Sequence, residues 1–404
     1  MKILRLNEFD TKYIYEFYSK NTGLAEKNYV EQEKALEYDA YSYHGAWKYY
    51  LNMAGHECEE IVTNNAFMVK SFIKENGMPK NSKPEDVIAF HVKKIKPEIL
   101  IFNSTNYKML KAIKYKNTYL KLIIPWCGSA ICDIRIFKDA DFTLSCAPET
   151  VNYFRNLGLK SEHLDHGFDP RINLRLKSEE NEGDFLTFIG QIIPKNDFHI
   201  QREIFLKKLA ENFKLSIYSP KFNVSIFNDI KAVLSANIYL FFALLKKIGI
   251  NEKWLYKIPI LGKFANKNNV IGLIKMNEVL EKIAKPGVFG LEMFQIIKNS
   301  KMVLNFHADS SPEYASNMRL FEITGVGSCM ISDFKKNLNN LFEIDKEVIS
   351  YKSFEECVEK IRWLVDNPNK IKEISENGQK RCLKDHGISN RIEVFEKMLK
   401  KYLA

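Results

Sequence analysis

The stretch from Lys301 to Asp333, KMVLNFHADSSPEYASNMRLFEITGVGSCMISD, restricts the fold more than any other part of the chain. Met302-Val303-Leu304 is a short unbroken apolar run, the pattern of a parallel strand covered on both faces. It ends on polar residues, Asn305 and His307, and runs into a loop of small and acidic groups. Ser316 or Asn317 then offers a side-chain cap to a helix carrying Arg319, Leu320, Phe321 and Glu322. Gly325 and Gly327 are expected to end that helix and lead into a second strand, Ser328 to Ser332. The order is strand, polar loop, helix, strand. In open α/β sheets, ligands bind at the carboxyl ends of strands, where a helix N-terminus presents free N–H groups to a phosphate. Arg319 adds a planar donor fork suited to a diphosphate, and Glu322 a carboxylate suited to ribose hydroxyls. The competing reading makes Arg319 and Glu322 an i, i+3 surface pair and the glycines simple turns.

The rest of the chain repeats the strand–helix alternation. Strands are expected at Lys2–Leu6, Cys58–Val62, Ile99–Phe102, Leu120–Pro125 and Phe142–Ser145, and helices at Thr11–Tyr18, Tyr29–Tyr38, Gly45–Met53 and Pro84–Lys94. Such a series implies a parallel sheet covered on both sides. Leu164 to Pro170 breaks the pattern, and the charged run Lys177 to Asp184 reads as a linker. Beyond it, strands at Phe185–Ile189 and Leu215–Tyr218 flank a helix at Gln201–Glu211, so a second α/β unit begins. With 404 residues and 46% apolar content the chain can build two cores of ordinary size.

The helix bearing Arg319 and Glu322, followed by Gly-x-Gly and an apolar strand, resembles the donor-nucleotide site of GT-B glycosyltransferases. The resemblance is nearest to the spore-maturation-type (CgeB-like) group of glycosyl transferases group 1. In that group a strand ending in Leu-Asn-x-His precedes an Arg-x-Phe-Glu helix, as Leu304-Asn305-Phe306-His307 and Arg319-Leu320-Phe321-Glu322 do here. It implies an α/β GT-B fold: two facing Rossmann-like domains with parallel sheets and a C-terminal helix crossing back. The expected division is an acceptor-side domain over 1–177 and a nucleotide-sugar domain over 178–387 with an insertion at about 222–275. The returning helix would occupy 388–404. Many retaining enzymes of this fold carry two glutamates separated by seven residues. The residue eight before Glu322 is Tyr314, with Glu313 one place off, so the retaining assignment does not carry over.

The implied activity is transfer of a sugar from a nucleotide-diphosphate sugar to an acceptor hydroxyl, in surface polysaccharide or glycoconjugate assembly. The donor substrate is then the sole small-molecule requirement, with no separate cofactor. Metal-independent transferases stabilise the leaving diphosphate with basic side chains and helix N–H groups. That suits a chain whose only Asp-x-Asp spacing, Asp139-Ala140-Asp141, precedes a strand. On the donor side the candidates are Gly190, Lys195, Asn305, Ser316, Asn317, Arg319 and Glu322. The catalytic candidates are Asp133, His307 and Arg319, and the acceptor-side candidates are His44, Asn103 and His166. Each histidine has a plain alternative, a polar cap or hinge contact.

The net charge of +10 asks for an anionic partner. Eight lysines (Lys231, Lys246, Lys247, Lys253, Lys257, Lys263, Lys267 and Lys275) face only Asp229 and Glu252 in the insertion, a local excess of +6. They border the apolar run Ile238–Leu245 and the aromatics Trp254, Tyr256 and Phe264, a mixture suited to an anionic membrane surface. A pair of core-packing helices with solvated lysines is the alternative. The expected partners are a nucleotide sugar, a glycan or lipid-linked acceptor and an anionic membrane surface. Nucleic acid is not expected, because the lysines sit beside apolar runs and no recognition motif is present. No segment reaches the ~18 unbroken apolar residues of a membrane span. The start, Met1 to Leu6, is too short and charged for a secretory signal, and the seven cysteines show no zinc-type pairing. A cytoplasmic protein, peripheral on the inner face of the cell membrane, is expected. No Gly-x-Gly-x-x-Gly follows the first strand and no P-loop, His-Glu-x-x-His or Gly-x-Ser-x-Gly occurs, which disfavours dehydrogenases, NTPases, zinc proteases and serine hydrolases. A sugar-nucleotide epimerase or a phosphorylase on the same fold is the rival enzyme reading, and a basic nucleic-acid-binding protein the rival outside enzymes.

Overall fold

The computed structural model describes residues 1–128, 131, 133–177, 183–192, 200–220, 226–247, 277–307 and 311–404, with side chains at 226–233, 235 and 236 left out. The chain forms two compact units, Met1–Gly183 with Phe289–Ala404, and Asp184–Val288.

In the first unit, β1 (Lys2–Asn7), β2 (Glu57–Val62), β3 (Ile99–Asn103) and β4 (Leu122–Pro125) form a parallel sheet in the order β2-β1-β3-β4. Ile3 stands opposite both Cys58 and Ile99, and Ile99 opposite Leu122. The strands are apolar runs because helices cover both faces, and Ile99 to Phe102 are all buried. β5 (Thr143–Ser145) and β6 (Ser161–His163) pair in parallel, and Trp126 bridges to Leu144.

The second unit carries β7 (Leu186–Ile189), β8 (Leu215–Tyr218) and β9 (Ala284–Lys285), again parallel. Its helix Ile226–Lys247 buries Phe242 with Ile238 and Leu245 against it, while Leu234, Leu240, Phe241 and Leu244 are exposed. Trp254, Tyr256, Phe264 and the lysines from Lys253 to Lys275 lie outside the described residues, as does Lys195. No helix among the described residues is long and apolar enough to cross a membrane.

The first unit resumes with β10 (Met302–Asn305), β11 (Cys329–Asp333) and β12 (Ile349–Tyr351), all parallel. Its last helix, Ile388–Leu403, buries Ile388, Ile392, Phe395 and Leu399, a stripe at helical spacing. That stripe returns to the N-terminal elements. Phe395 meets Trp47 at 5.3 Å, Tyr402 stacks on Phe142 at 4.1 Å, and Glu396 reaches the His56 ring at 3.0 Å. The C-terminal helix thus crosses back, as expected. The segment before the linker is pinned to its start: the Phe168 N–H donates to the His386 carbonyl, and the Ile388 N–H to the Phe168 carbonyl.

One expectation within the organising stretch needs correction. Gly325 does not end the helix but lies inside it, since the helix spans Arg319–Val326 and Gly327 is its left-handed C-cap, with φ +87°. Gly325 is glycine for lack of room. A Cβ there would stand 2.2 Å from Cγ of the buried Phe168 ring.

Candidate functional site

The carboxyl ends of β10 and β11 carry a buried polar network. The Asn305 amide donates to the Ser332 hydroxyl at 2.9 Å and accepts from the Asn317 amide at 2.7 Å. His307 holds Asp333 twice, through its backbone N–H at 3.1 Å and its Nδ1 at 2.7 Å. Burial pushes the Asp333 carboxyl up, but His307 and Lys335 outweigh it and leave it below the usual range. With Nδ1 engaged, the His307 Nε2 is buried without a partner.

The loop that follows is held by a residue sequence reasoning missed. The Glu149 carboxylate, in the first turn of the helix Pro148–Asn156, accepts from the Ser311 hydroxyl and from the backbone N–H groups of Glu313 and Tyr314, each N–H at 3.1 Å. A second clamp comes from Asn337, which exchanges hydrogen bonds with the backbone of Ala315. Neither Ser316 nor Asn317 caps the helix. Its N-cap is Met318, already in the right-handed helical region and without a side-chain cap; the Asn317 amide NH2 donates to Asn305, and its oxygen, the atom a cap would use, is buried without a partner.

On that helix Arg319 and Glu322 are one turn apart and paired at 2.7 Å. Their side chains are only 18% and 7% exposed, so this is not the solvated surface pair of the competing reading. Arg319 also packs against the Met293 sulfur at 3.0 Å. Burial pushes the Glu322 carboxyl up and Arg319 opposes this only in part. Both charges are felt by Tyr43, a buried tyrosine whose hydroxyl has no partner and whose pKa burial raises far above the usual value. Tyr43 sits in a strained turn: Ala40, Ser42 and Tyr43 have φ of 56°, 52° and 57°, a region non-glycine residues seldom enter.

Tyr43 and Met318 both line a cavity of about 390 Å³ at the carboxyl ends of β1, β3 and β4. In the order β2-β1-β3-β4 the topology reverses between β1 and β3, the place where open α/β sheets bind ligands. Asn7 ends β1 here and Glu8 follows it, Asn103 ends β3 and Ser104 follows it, and Trp126 follows β4.

The structure brings Asn103, Asp133 and His166 together in this cavity. The Asn103 amide donates to Asn7 at 3.1 Å, leaving its oxygen buried without a partner. Asp133 caps the short helix Ile134–Lys138 and is gripped by the Arg135 guanidinium at 2.7 Å, which holds its carboxyl below the usual range. His166 lies against Trp126 with ring centres 5.1 Å apart. Burial first, then Arg391 and Arg5, pull it down to about 3, so the ring is neutral near pH 7.

His44 does not join them. It is buried between Glu33 at 2.9 Å and Glu60 at 3.5 Å. Burial alone would lower it, but the two carboxylates raise it to about 10, so it is a structural imidazolium. Gly190 belongs to the second unit and ends β7, where its N–H donates to the Tyr218 carbonyl and a Cβ would press on the Phe188 ring at 3.0 Å. Trp126 was legible in the sequence as the residue after a strand, Asp333 as the polar end of one; Glu149 left no local signal. Among the described residues no group of three or more His, Cys, Asp or Glu is placed to hold a metal.

Residues 250–397 match the family described as Glycosyl transferase-like. No curated protein matches. Among solved structures, a glycosyltransferase from Rickettsia africae aligns with a TM-score of 0.54 at 11% identity, over 99% of this chain and 98% of that one. Anabaena HepE in complex with UDP and glucose aligns at 0.52 and 13% identity, over 99% of this chain and all of the other. Sucrose-phosphate synthase from Thermosynechococcus elongatus aligns at 0.51 and 10% identity, over 99% of both. The fold is therefore α/β of the GT-B type, with parallel sheets.

Proposed function

We propose that this protein is a metal-independent glycosyltransferase that moves a sugar from a nucleotide-diphosphate sugar to an acceptor hydroxyl. The observation that carries the reading is the buried Arg319–Glu322 pair, in which a carboxylate is kept in an apolar setting at a cost to stability. A pair serving stability alone gains little from such burial. A pair awaiting a diphosphate and a ribose has a reason to be there. The match of residues 250–397 to a transferase-like family and the fold shared with a UDP-bound protein support the reading.

In this reading Arg319 contacts charge that grows as the sugar bond breaks, and Glu322 holds ribose hydroxyls. Asn305, Ser316 and Asn317 complete the donor side. His307 is the better base of the two candidates, because Asp333 fixes its Nδ1 and leaves Nε2 for a ligand. The basicity of Asp133 is spent on Arg135. The cavity with Asn103 and His166 is the acceptor side. We also propose the division into domains at 1–177, 178–387 and 388–404, kinship with the CgeB-like group, a role in bacterial polysaccharide assembly, and a peripheral membrane position for the basic insertion.

Thermal denaturation with UDP, GDP and TDP and their glucose conjugates tests this. One nucleotide should stabilise the protein by about 2.7 kcal/mol when present at a hundredfold its Kd, with chelator present as without it. A protein that none of them stabilises would end the proposal.

A further inference from the structure

The cavity at the ends of β1, β3 and β4 discriminates between classes of ligand. Its volume, about 390 Å³, lies at the small end of ligand pockets, which suits one or two rings. The charged groups that line it are already engaged. Arg5 is paired with Glu60 at 2.9 Å. Arg391 donates to the carbonyls of His166 and Asp385 and lies 2.9 Å from the His386 ring. Asp133 is held by Arg135, Asp165 lies 3.3 Å from His163, and Glu8 accepts from Ser104 and Thr105. Two cations against three carboxylates leave no surplus positive charge for an anion.

Among the described residues, what the wall leaves unpaired is neutral. The Asn103 oxygen and the Tyr43 hydroxyl are both buried without a partner, and such atoms are uncommon enough to need an explanation. A strained turn holds Tyr43 in place, at φ +57°. Beside them stands Trp126, half-buried, and glycine at 128 keeps its edge clear, since a Cβ there would lie 2.7 Å from the indole nitrogen. An indole presents a broad apolar face with a single donor at its rim. Apolar face, amide oxygen and hydroxyl together match a ring that is apolar on its C–H face and hydroxylated around its edge.

We propose that this cavity binds an uncharged pyranose ring, stacked on Trp126 and hydrogen-bonded by Asn103 and the Tyr43 hydroxyl, and that it excludes phosphate- and carboxylate-bearing groups. Its role as the acceptor site rests on the glycosyl-transfer reading; the binding itself does not. A lipid-linked acceptor would therefore enter with its terminal sugar while its phosphate stays outside.

Saturation-transfer NMR on the full-length protein, without nucleotide, tests the proposal. The probes are the methyl glycosides of glucose, galactose and N-acetylglucosamine, with glucose 6-phosphate and glucuronic acid as charged counterparts. At least one neutral glycoside should bind, more tightly than either charged sugar. Trp126→Ala and Asn103→Ala should each weaken it about tenfold. Trp126→Phe, which keeps an aromatic face and guards against loss of fold, should recover part of the affinity. Neutral glycosides that stay silent at millimolar concentration, charged sugars that bind more tightly, or wild-type binding by Trp126→Ala would each overturn it. Stabilisation by UDP is a separate readout that none of these variants should change. Glycoside binding without any nucleotide effect would leave the cavity assignment standing and remove the glycosyl-transfer reading.

Discussion

Replacing Glu322 with glutamine separates a working carboxylate from a structural one. In the wild type the Arg319 guanidinium lies 2.7 Å from Glu322, with side chains 18% and 7% exposed. At an effective dielectric of about 20, unit charges at that separation attract by about 6 kcal/mol. Removing two ions from water costs several kcal/mol each, so attraction and desolvation nearly cancel. The raised Glu322 carboxyl agrees with this, since burial is the larger influence on it and Arg319 the smaller. A carboxyl whose folded value is raised contributes its stability below the unfolded value of 4.5 and loses it as pH climbs through the folded value. Glu322 therefore costs stability at neutral pH. Glutamine keeps an oxygen for Arg319 and removes the charge. Glu322→Gln should lie within about 1 kcal/mol of wild type in urea denaturation at neutral pH. The stability difference, variant minus wild type, should grow from acidic to neutral pH. If the carboxylate holds ribose, the same variant should bind UDP about tenfold more weakly by calorimetry, the worth of one charge-assisted hydrogen bond. A loss of roughly 3 kcal/mol or more with unchanged UDP affinity would make the pair structural and refute the reasoning.

Gly325→Ala should cost about 3 kcal/mol in denaturant unfolding, because its Cβ would stand 2.2 Å from the buried Phe168 ring; a variant as stable as wild type would refute the close approach. His44→Gln should cost roughly 3–5 kcal/mol near pH 6 by stranding buried carboxylates. His44 is raised from 6.5 to about 10, so its contribution is complete below 6.5 and lost as pH rises toward 10. Glu60 is depressed below 4.5 despite burial, by Arg5 and His44, so its contribution is present above 4.5 and lost as pH falls well below that value. Wild-type stability should therefore decline between pH 6.5 and 10 relative to the variant, and parallel curves over that window would exclude an imidazolium at this position.

The sequence by itself determined what depends on near neighbours along the chain. Apolar runs such as Ile99–Phe102 become buried parallel strands, the Ile388–Leu399 spacing becomes the stripe of the returning helix, and the three-position step from Arg319 to Glu322 puts both on one helical face. Each follows from a helical or extended repeat, a property of a few consecutive residues. Tertiary structure decided what depends on distant partners. His44 reads as a loop histidine until Glu33 and Glu60 close on it, and Gly325 reads as a turn until Phe168 is packed against it. Ser316 and Asn317 read as caps, but the helix starts without a side-chain cap and Asn317 turns its NH2 to Asn305 across 12 positions. Glu149 reaches the backbone of Glu313 across 164 positions of sequence. The cavity is itself such a product, since β1 and β3 become neighbours only when the sheet assembles, and Asn103 and Tyr43, each with an unpaired polar atom, line it from separate elements. Burial and charge pairing are sums over everything that surrounds a group in space, and chain order alone does not carry that sum.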